Sequence, residues 1–137
     1  MYRTFQPKLP TGALLILFSF AATCTAAEHT KDTLEVVKAN VGQGKALIVD
    51  VREKAEWDES HLEGALFVPL SKLQRAADPE SLEDEIDKSK ILYTHCKAGK
   101  RALLAADILE KLGYKVRPLK QGTADLIKAG FPESQEQ

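Results

Sequence analysis

Residues 93 to 114, "YTHCKAGKRALLAADILEKLGY", place Cys96 between a strand-like run and a helix-like run, with Lys97, Lys100 and Arg101 close behind it. The reactive form of cysteine is the thiolate, and its population is set by pKa. Three features of this stretch favour the thiolate. A helix beginning near Lys100 or Arg101 points its positive end at the loop. The N–H groups of residues 97 to 101 have no partners inside that helix and can converge on an anion. Lys97, Lys100 and Arg101 add full charges, while Gly99 permits the tight backbone such a cradle needs. Helix ends and adjacent cations are the settings in which a cysteine pKa falls well below ~8.5. The same cradle suits an anionic substrate, or a negatively charged sulfur carried on Cys96. The plainer reading makes Cys96 a small buried residue ending a strand, since buried free cysteines are common. Against it, the residues that follow are K-A-G-K-R rather than more core.

Elements able to hold that loop are visible along the chain. "DTLEVVKANV" carries Asp32 with Glu35 three residues on, a capping-box signature, followed by apolar residues at helical spacing and by Gly42 and Gly44. "ALIVDV" and "KILYTHC" are runs of β-formers with the look of strands buried on both faces. "EKAEWDES" predicts a short helix, "GALFVPL" a short strand stopped by Pro69, and "KLQRAA" a helix capped by Ser71. Pro79 opens a helix over "ESLEDEIDKS". "RALLAADILEKLGY" predicts a strong helix whose apolar face is Leu103, Leu104, Ile108 and Leu112, closed by Gly113. "KVRPL" gives another strand, and "TADLIKAG" a last helix ending at Gly130. Strands alternating with helices imply an α/β domain, a mostly parallel sheet with helices on both faces. Ligands of such sheets bind beyond the carboxyl ends of the strands, where Cys96 stands.

The chain has 137 residues, 44% apolar and 28% charged, which suits one packed domain. A net charge of −1 argues against a general nucleic-acid binder, so any positive patch is local. Residues 1 to 27 differ from the rest. Arg3 and Lys8 precede a short apolar run from Ala13 to Ala22, and small residues follow, with Thr25 and Ala27 placed for cleavage. This describes a secretory signal peptide, hence an exported, periplasmic protein with no membrane attachment once cleaved. The alternative is an uncleaved N-terminal anchor. A lipoprotein reading of Cys24 is weaker, because Thr23 precedes it. Removing the segment takes two of 19 basic residues and none of the 20 acidic ones, leaving a net charge of −3 and Cys96 as the one cysteine. No internal disulfide is then possible. No cluster of cysteines or acids has metal-ligand spacing, so a metal site has little support.

Three segments resemble the single-domain rhodanese sulfurtransferases. "LIVDVREKAEWDESHLEGALFVPLSKL" is similar to the family's D-V-R, E-(F/W) and G-H-I-x-G-A-x-N-I-P stretch, with Asp50, Val51, Arg52, Glu56, Trp57, His61, Gly64, Ala65 and Pro69 in register. "YTHCKAGKRA" resembles its active loop C-x-x-G-x-R. "LGYKVRPLKQG…KAGFP" resembles its closing G-Y-x-V…L-x-G-G…G-x-P. The resemblance covers roughly residues 33 to 133. Ser60, Phe67, Gln121 and Leu126 depart from the family's usual Gly, Asn, Gly and Trp, at positions that support and pack rather than react.

The resemblance implies a sulfurtransferase working through a Cys96 persulfide, by two-step nucleophilic catalysis. Cys96 would take the outer sulfur of thiosulfate or of a persulfide donor, and a thiol or cyanide would accept it. The N–H groups of Lys97, Ala98, Gly99, Lys100 and Arg101 would hold the persulfide, and the three cations would attract a small anionic donor. No metal or organic cofactor is required. Members of the family also act as sulfur carriers or as docking modules for redox proteins, which is the alternative. Asp50 and Arg52 support the loop, most simply as an ion pair at a strand end. His61 reads as a turn or core histidine, and His95 as pointing to the face opposite Cys96. Cysteine phosphatases and some arsenate reductases use C-x5-R, with Arg six places after Cys. Here Arg101 is the fifth, which makes a cradle tighter than phosphate prefers.

Overall fold

In the computed structural model, residues 25–75, 82 and 84–136 are described. Most of the expected signal segment, with Cys24, lies outside them. Of the helix expected over residues 80–89, residues 80, 81 and 83 lie outside them too; Leu82 is helical and accepts N–H groups from Glu85 and Ile86, but residues 84–89 form turns and bends, so the helix is shorter than expected.

Four parallel strands form one sheet in the order β2-β1-β3-β4. β1 (Ala46–Asp50) and β3 (Ile91–His95) are central and pair along their whole length, from Ala46 opposite Ile91 to Asp50 opposite His95. Their β-branched and aromatic residues suit burial on both faces, and all ten but Leu47 and Ile91 are buried. β2 (Leu66–Phe67) and β4 (Lys115–Val116) are two-residue edge strands. β4 is thus shorter than "KVRPL" suggested; beyond it, Leu119 N–H still donates to Thr94 O at 2.8 Å.

Alternation along the strands splits the core in two. On one face Val49, Val51, Leu92 and Cys96 pack against α3 (Leu70–Arg75) and α4 (Lys100–Lys111). On the other, Ile48, Tyr93 and Leu62 pack against α1 (Leu34–Gly42) and α5 (Thr123–Lys128). α2 (Lys54–Glu59) leads out of β1 toward Leu62 and this second face, while β3 leads into α4 on the first. The connections leaving the two neighbouring central strands therefore diverge, which opens a crevice at their carboxyl ends. Among the described residues no helix is long and apolar enough to cross a membrane.

Three local expectations change. α1 is capped by Thr33, whose hydroxyl accepts from Val36 N–H at 3.4 Å, and not by Asp32, whose carboxylate instead receives Tyr93 OH at 2.6 Å and Arg117 at 2.7 Å. Ser71 lies inside α3, because the helix already begins at Leu70; its hydroxyl donates to Glu53 at 2.7 Å. α4 buries Ala102, Ala105, Ala106 and Leu109 instead of the leucine stripe, and Leu104 is 43% exposed. Small side chains let the helix axis approach the sheet, so the face that packs is the one with least bulk.

Candidate active site

Cys96 leaves the end of β3 and sits under the first turn of α4. Its side chain is 1% exposed, while Lys97, Ala98 and Lys100 around it are exposed. Gly99 is the N-cap of α4 with φ +89°, the left-handed conformation that glycine adopts without strain. That turn brings Gly99 N–H to 3.1 Å from Cys96 Sγ, a hydrogen bond from the loop backbone to the sulfur. The first turn of a helix also carries N–H groups without partners inside the helix, at its positive end. Of the N–H cradle expected from residues 97 to 101, one contact is present at the sulfur, the Gly99 N–H.

Arg101 behaves differently from the two lysines. Its guanidinium is bound by both carboxylate oxygens of Glu56, at 2.6 and 2.8 Å, and also faces the thiol of Cys96. The fork-to-fork geometry is the strong form of such a pair. Hydrogen bonding to Arg101 lowers the Glu56 pKa to about 2, and the pair raises that of Arg101 above its ordinary value. Glu56 is itself fixed, because Oε2 accepts the Glu53 N–H at 3.2 Å at the start of α2. Of the three cations expected around the sulfur, Lys97 and Lys100 are exposed, whereas Arg101 is shared between a carboxylate and the sulfur.

Asp50 and Arg52 form the expected strand-end ion pair. Arg52 Nη2 is 2.7 Å from Asp50 Oδ2, and Arg52 Nε is 3.0 Å from both carboxylate oxygens. The pair is buried, and Arg52 Nη2 also donates to Ser60 O at 2.6 Å, tying β1 to the end of α2. His95 is fully buried on the Asp50 side of the sheet, with Nε2 3.7 Å from Asp50 Oδ2 and neither ring nitrogen hydrogen-bonded. Burial pushes its pKa down, which the Asp50 carboxylate partly offsets. His61 stacks on Trp57 with ring centroids 3.8 Å apart, and its Nδ1 donates to Trp57 O at 2.9 Å. Neither histidine is placed as a base at Cys96.

A cleft of about 690 Å³ opens beside the loop, lined among others by Arg52, Glu56, Lys97, Thr123 and Lys128. The Thr123 hydroxyl is buried there without a hydrogen-bond partner. A second depression of about 760 Å³, around Lys90, Ile91 and Lys115, lies at the opposite end of the strands, away from Cys96. Among the described residues no group of three or more His, Cys, Asp or Glu is placed to hold a metal ion.

Two supports of the site were not legible as such. Gly122 packs against the loop so closely that a Cβ there would stand 2.2 Å from Lys97 O. His29 reaches the loop from the N-terminal side, its Nε2 3.1 Å from Gly99 O. The family pattern named a glycine near 122; no sequence signal marked His29.

A family model described as Rhodanese-like domain matches residues 33–129. The Schizosaccharomyces pombe protein with the provisional name thiosulfate sulfurtransferase, mitochondrial, is 28% identical over 122 residues, covering 81% of this chain and 86% of its own. Bacillus subtilis YrkF, provisionally named a sulfur carrier protein, is 33% identical over 84 residues, covering 61% of this chain; the chain spans 42% of the length of YrkF. Among solved structures, a rhodanese-related protein of Thermoplasma volcanium superposes with a TM-score of 0.61 at 21% identity, over 75% of this chain and 95% of that one, a likeness of fold.

Proposed function

The chain belongs to the rhodanese-like domain family, and from that premise we propose that it is a sulfurtransferase whose sulfur passes through Cys96. The observation that carries this reading is the Gly99 N–H on Cys96 Sγ at 3.1 Å, with the Arg101 guanidinium facing the same atom. A negative sulfur is stabilised there, and so is a second sulfur attached to it.

The chemistry proceeds in two displacements. The Cys96 thiolate attacks the outer sulfur of thiosulfate; the S–S bond of the donor breaks and sulfite leaves with the electron pair. Cys96 then carries a persulfide anion. An acceptor thiolate or cyanide attacks the terminal sulfur, the new S–S bond breaks, and the Cys96 thiolate returns. Lys97 and Lys100, exposed at the rim, favour an anionic donor. The cleft beside Lys97 is the place for the acceptor. A persulfide on a partner protein, redox or carrier, is a donor of the same chemistry. Export to the periplasm through residues 1 to 27, or anchoring by them, is part of this proposal.

The second reading is a carrier that loads sulfur without turning it over, a role named for YrkF. Thiosulfate–cyanide turnover by the wild type and by Cys96→Ser decides between them. An enzyme turns over and loses turnover in the variant. A carrier gains one sulfur on Cys96 by mass spectrometry with negligible turnover. No sulfur on Cys96 from any sulfane donor sinks both. A phosphatase is disfavoured by the one-residue-shorter loop; aryl phosphate hydrolysis dependent on Cys96 would reverse that.

A further inference from the structure

His29 stands before the stretch that matches the family and outside every motif, yet it touches the loop that holds Cys96. A carbonyl oxygen can only accept, so His29 Nε2 carries a proton and donates it to Gly99 O at 3.1 Å. Gly99 is the residue whose own N–H reaches Cys96 Sγ. Its carbonyl also receives Leu103 N–H at 3.2 Å, so both acceptor positions are used. The fit is close: a Cβ on Gly99 would stand 2.6 Å from His29 Nε2 and 3.2 Å from Lys120 Cα. The left-handed glycine is therefore wedged between an imidazole and a backbone.

The segment that brings His29 there is fastened along its length. Thr30 N–H donates to Pro118 O at 2.8 Å, a bond that outlasts cleavage after Ala27; in the uncleaved chain Ala27 N–H also donates to Asp107 Oδ1 on α4 at 2.7 Å. Asp32 receives Tyr93 OH from β3 and Arg117 from beyond β4. Thus residues 29 to 32 run beside the active loop, β3 and the segment after β4 as one strap, with His29 over Gly99.

We propose that His29 is a positioning residue for the sulfur site, acting through Gly99. Its hydrogen bond holds Gly99 in the conformation that aims the N–H at Cys96. It also draws electron density from the Gly99–Lys100 peptide, which strengthens the Lys100 N–H as a donor at the helix mouth. The strap is thus part of the catalytic unit. The catalytic meaning rests on the sulfurtransferase reading; the effect on the thiol does not.

The test uses the full chain with His29→Ala and His29→Gln, since a glutamine amide can donate to the same carbonyl. Four quantities are read at neutral pH: the rate of iodoacetamide alkylation at Cys96 followed by peptide mass, kcat and KM for thiosulfate, and the thermal midpoint. Removing one aligned donor from a site of this kind predicts alkylation slowed several-fold and kcat down about tenfold in His29→Ala, with KM little changed. His29→Gln recovers most of both. The proposal is overturned if the alanine variant alkylates and turns over like wild type, if only its thermal midpoint moves, or if glutamine rescues nothing while folding as wild type does. Should the wild type transfer no sulfur at all, the functional reading falls, and alkylation alone still decides the role of His29.

Discussion

Arg101 of the active loop and Glu56 of α2, 45 residues apart, are locked together by two parallel hydrogen bonds of 2.6 and 2.8 Å. The loop motif therefore does not hold its arginine by itself; a carboxylate from across the crevice fixes where the guanidinium stands relative to the sulfur. The pair is about 30% exposed on each side, so its worth in stability is that of a surface bridge, ~0.5–1 kcal/mol. Glu56 has a folded pKa of about 2, below the ordinary 4.5, so its contribution is full above pH 4.5 and disappears as pH falls toward 2. Urea midpoints of the wild type and Glu56→Gln should differ at pH 7 and converge in that acid window. Turnover at pH 7 should fall in the variant, because Arg101 loses its anchor.

Arg52 offers a contrast, because its partner is fully buried. Removing it in Arg52→Ala leaves the Asp50 carboxylate without its cation, a change that costs about 3–5 kcal/mol in comparable buried pairs. Denaturant unfolding measures this. If the pair is a clasp between strand end and loop, the folded fraction of the variant still loads sulfur on Cys96 and its KM for thiosulfate moves by no more than about threefold. A large rise in KM with little loss of stability would instead make Arg52 a donor-binding residue.

His95 supplies a pH dependence of opposite origin. Burial lowers its folded pKa below 6.5, so the unfolded chain takes up a proton that the folded one refuses. Stability therefore falls as pH drops below 6.5, at up to about 1.4 kcal/mol per pH unit, until the folded pKa is reached. His95→Leu, which abandons no hydrogen bond because neither ring nitrogen makes one, should flatten the urea midpoint between pH 7 and 5. An unchanged slope in that variant would assign the dependence elsewhere.

Much of this arrangement follows from local pattern. The run of β-formers in "KILYTHC", the glycine at 99 and the helical run after it are enough to put a cysteine at a helix mouth, and they did. Caps and faces were less legible. Asp32 is the better cap by residue type, and the Tyr93 and Arg117 groups that capture it leave the role to Thr33. The apolar face of α4 was assigned to its leucines because bulk is what periodicity weighs, whereas close approach to a sheet favours Ala102, Ala105 and Ala106. Pairings such as Arg101 with Glu56, or His29 with Gly99, join residues 45 and 70 apart, and no local signal encodes a partner at that distance.

Gly122 and Gly42 make a matched pair for experiment. Alanine at 122 would place its Cβ 2.2 Å from Lys97 O and 3.3 Å from Cys96 O, backbone atoms that cannot swing aside. Alanine at 42 meets nothing within 4 Å. Gly122→Ala should cost ~1–3 kcal/mol and lower kcat/KM at least tenfold by shifting the loop. Gly42→Ala should be neutral or slightly stabilising. Parallel urea melts and turnover assays on the two variants check this.

The 1% exposure of Cys96 carries one last implication. A sulfur this enclosed, under the Gly99 N–H, favours narrow reagents over broad ones. Slender reagents with a terminal sulfur have the right profile to descend to it, while broad disulfides and bulky oxidants are turned away at the rim. Enclosure of this kind would protect a loaded sulfur between visits, letting the cargo wait for its acceptor.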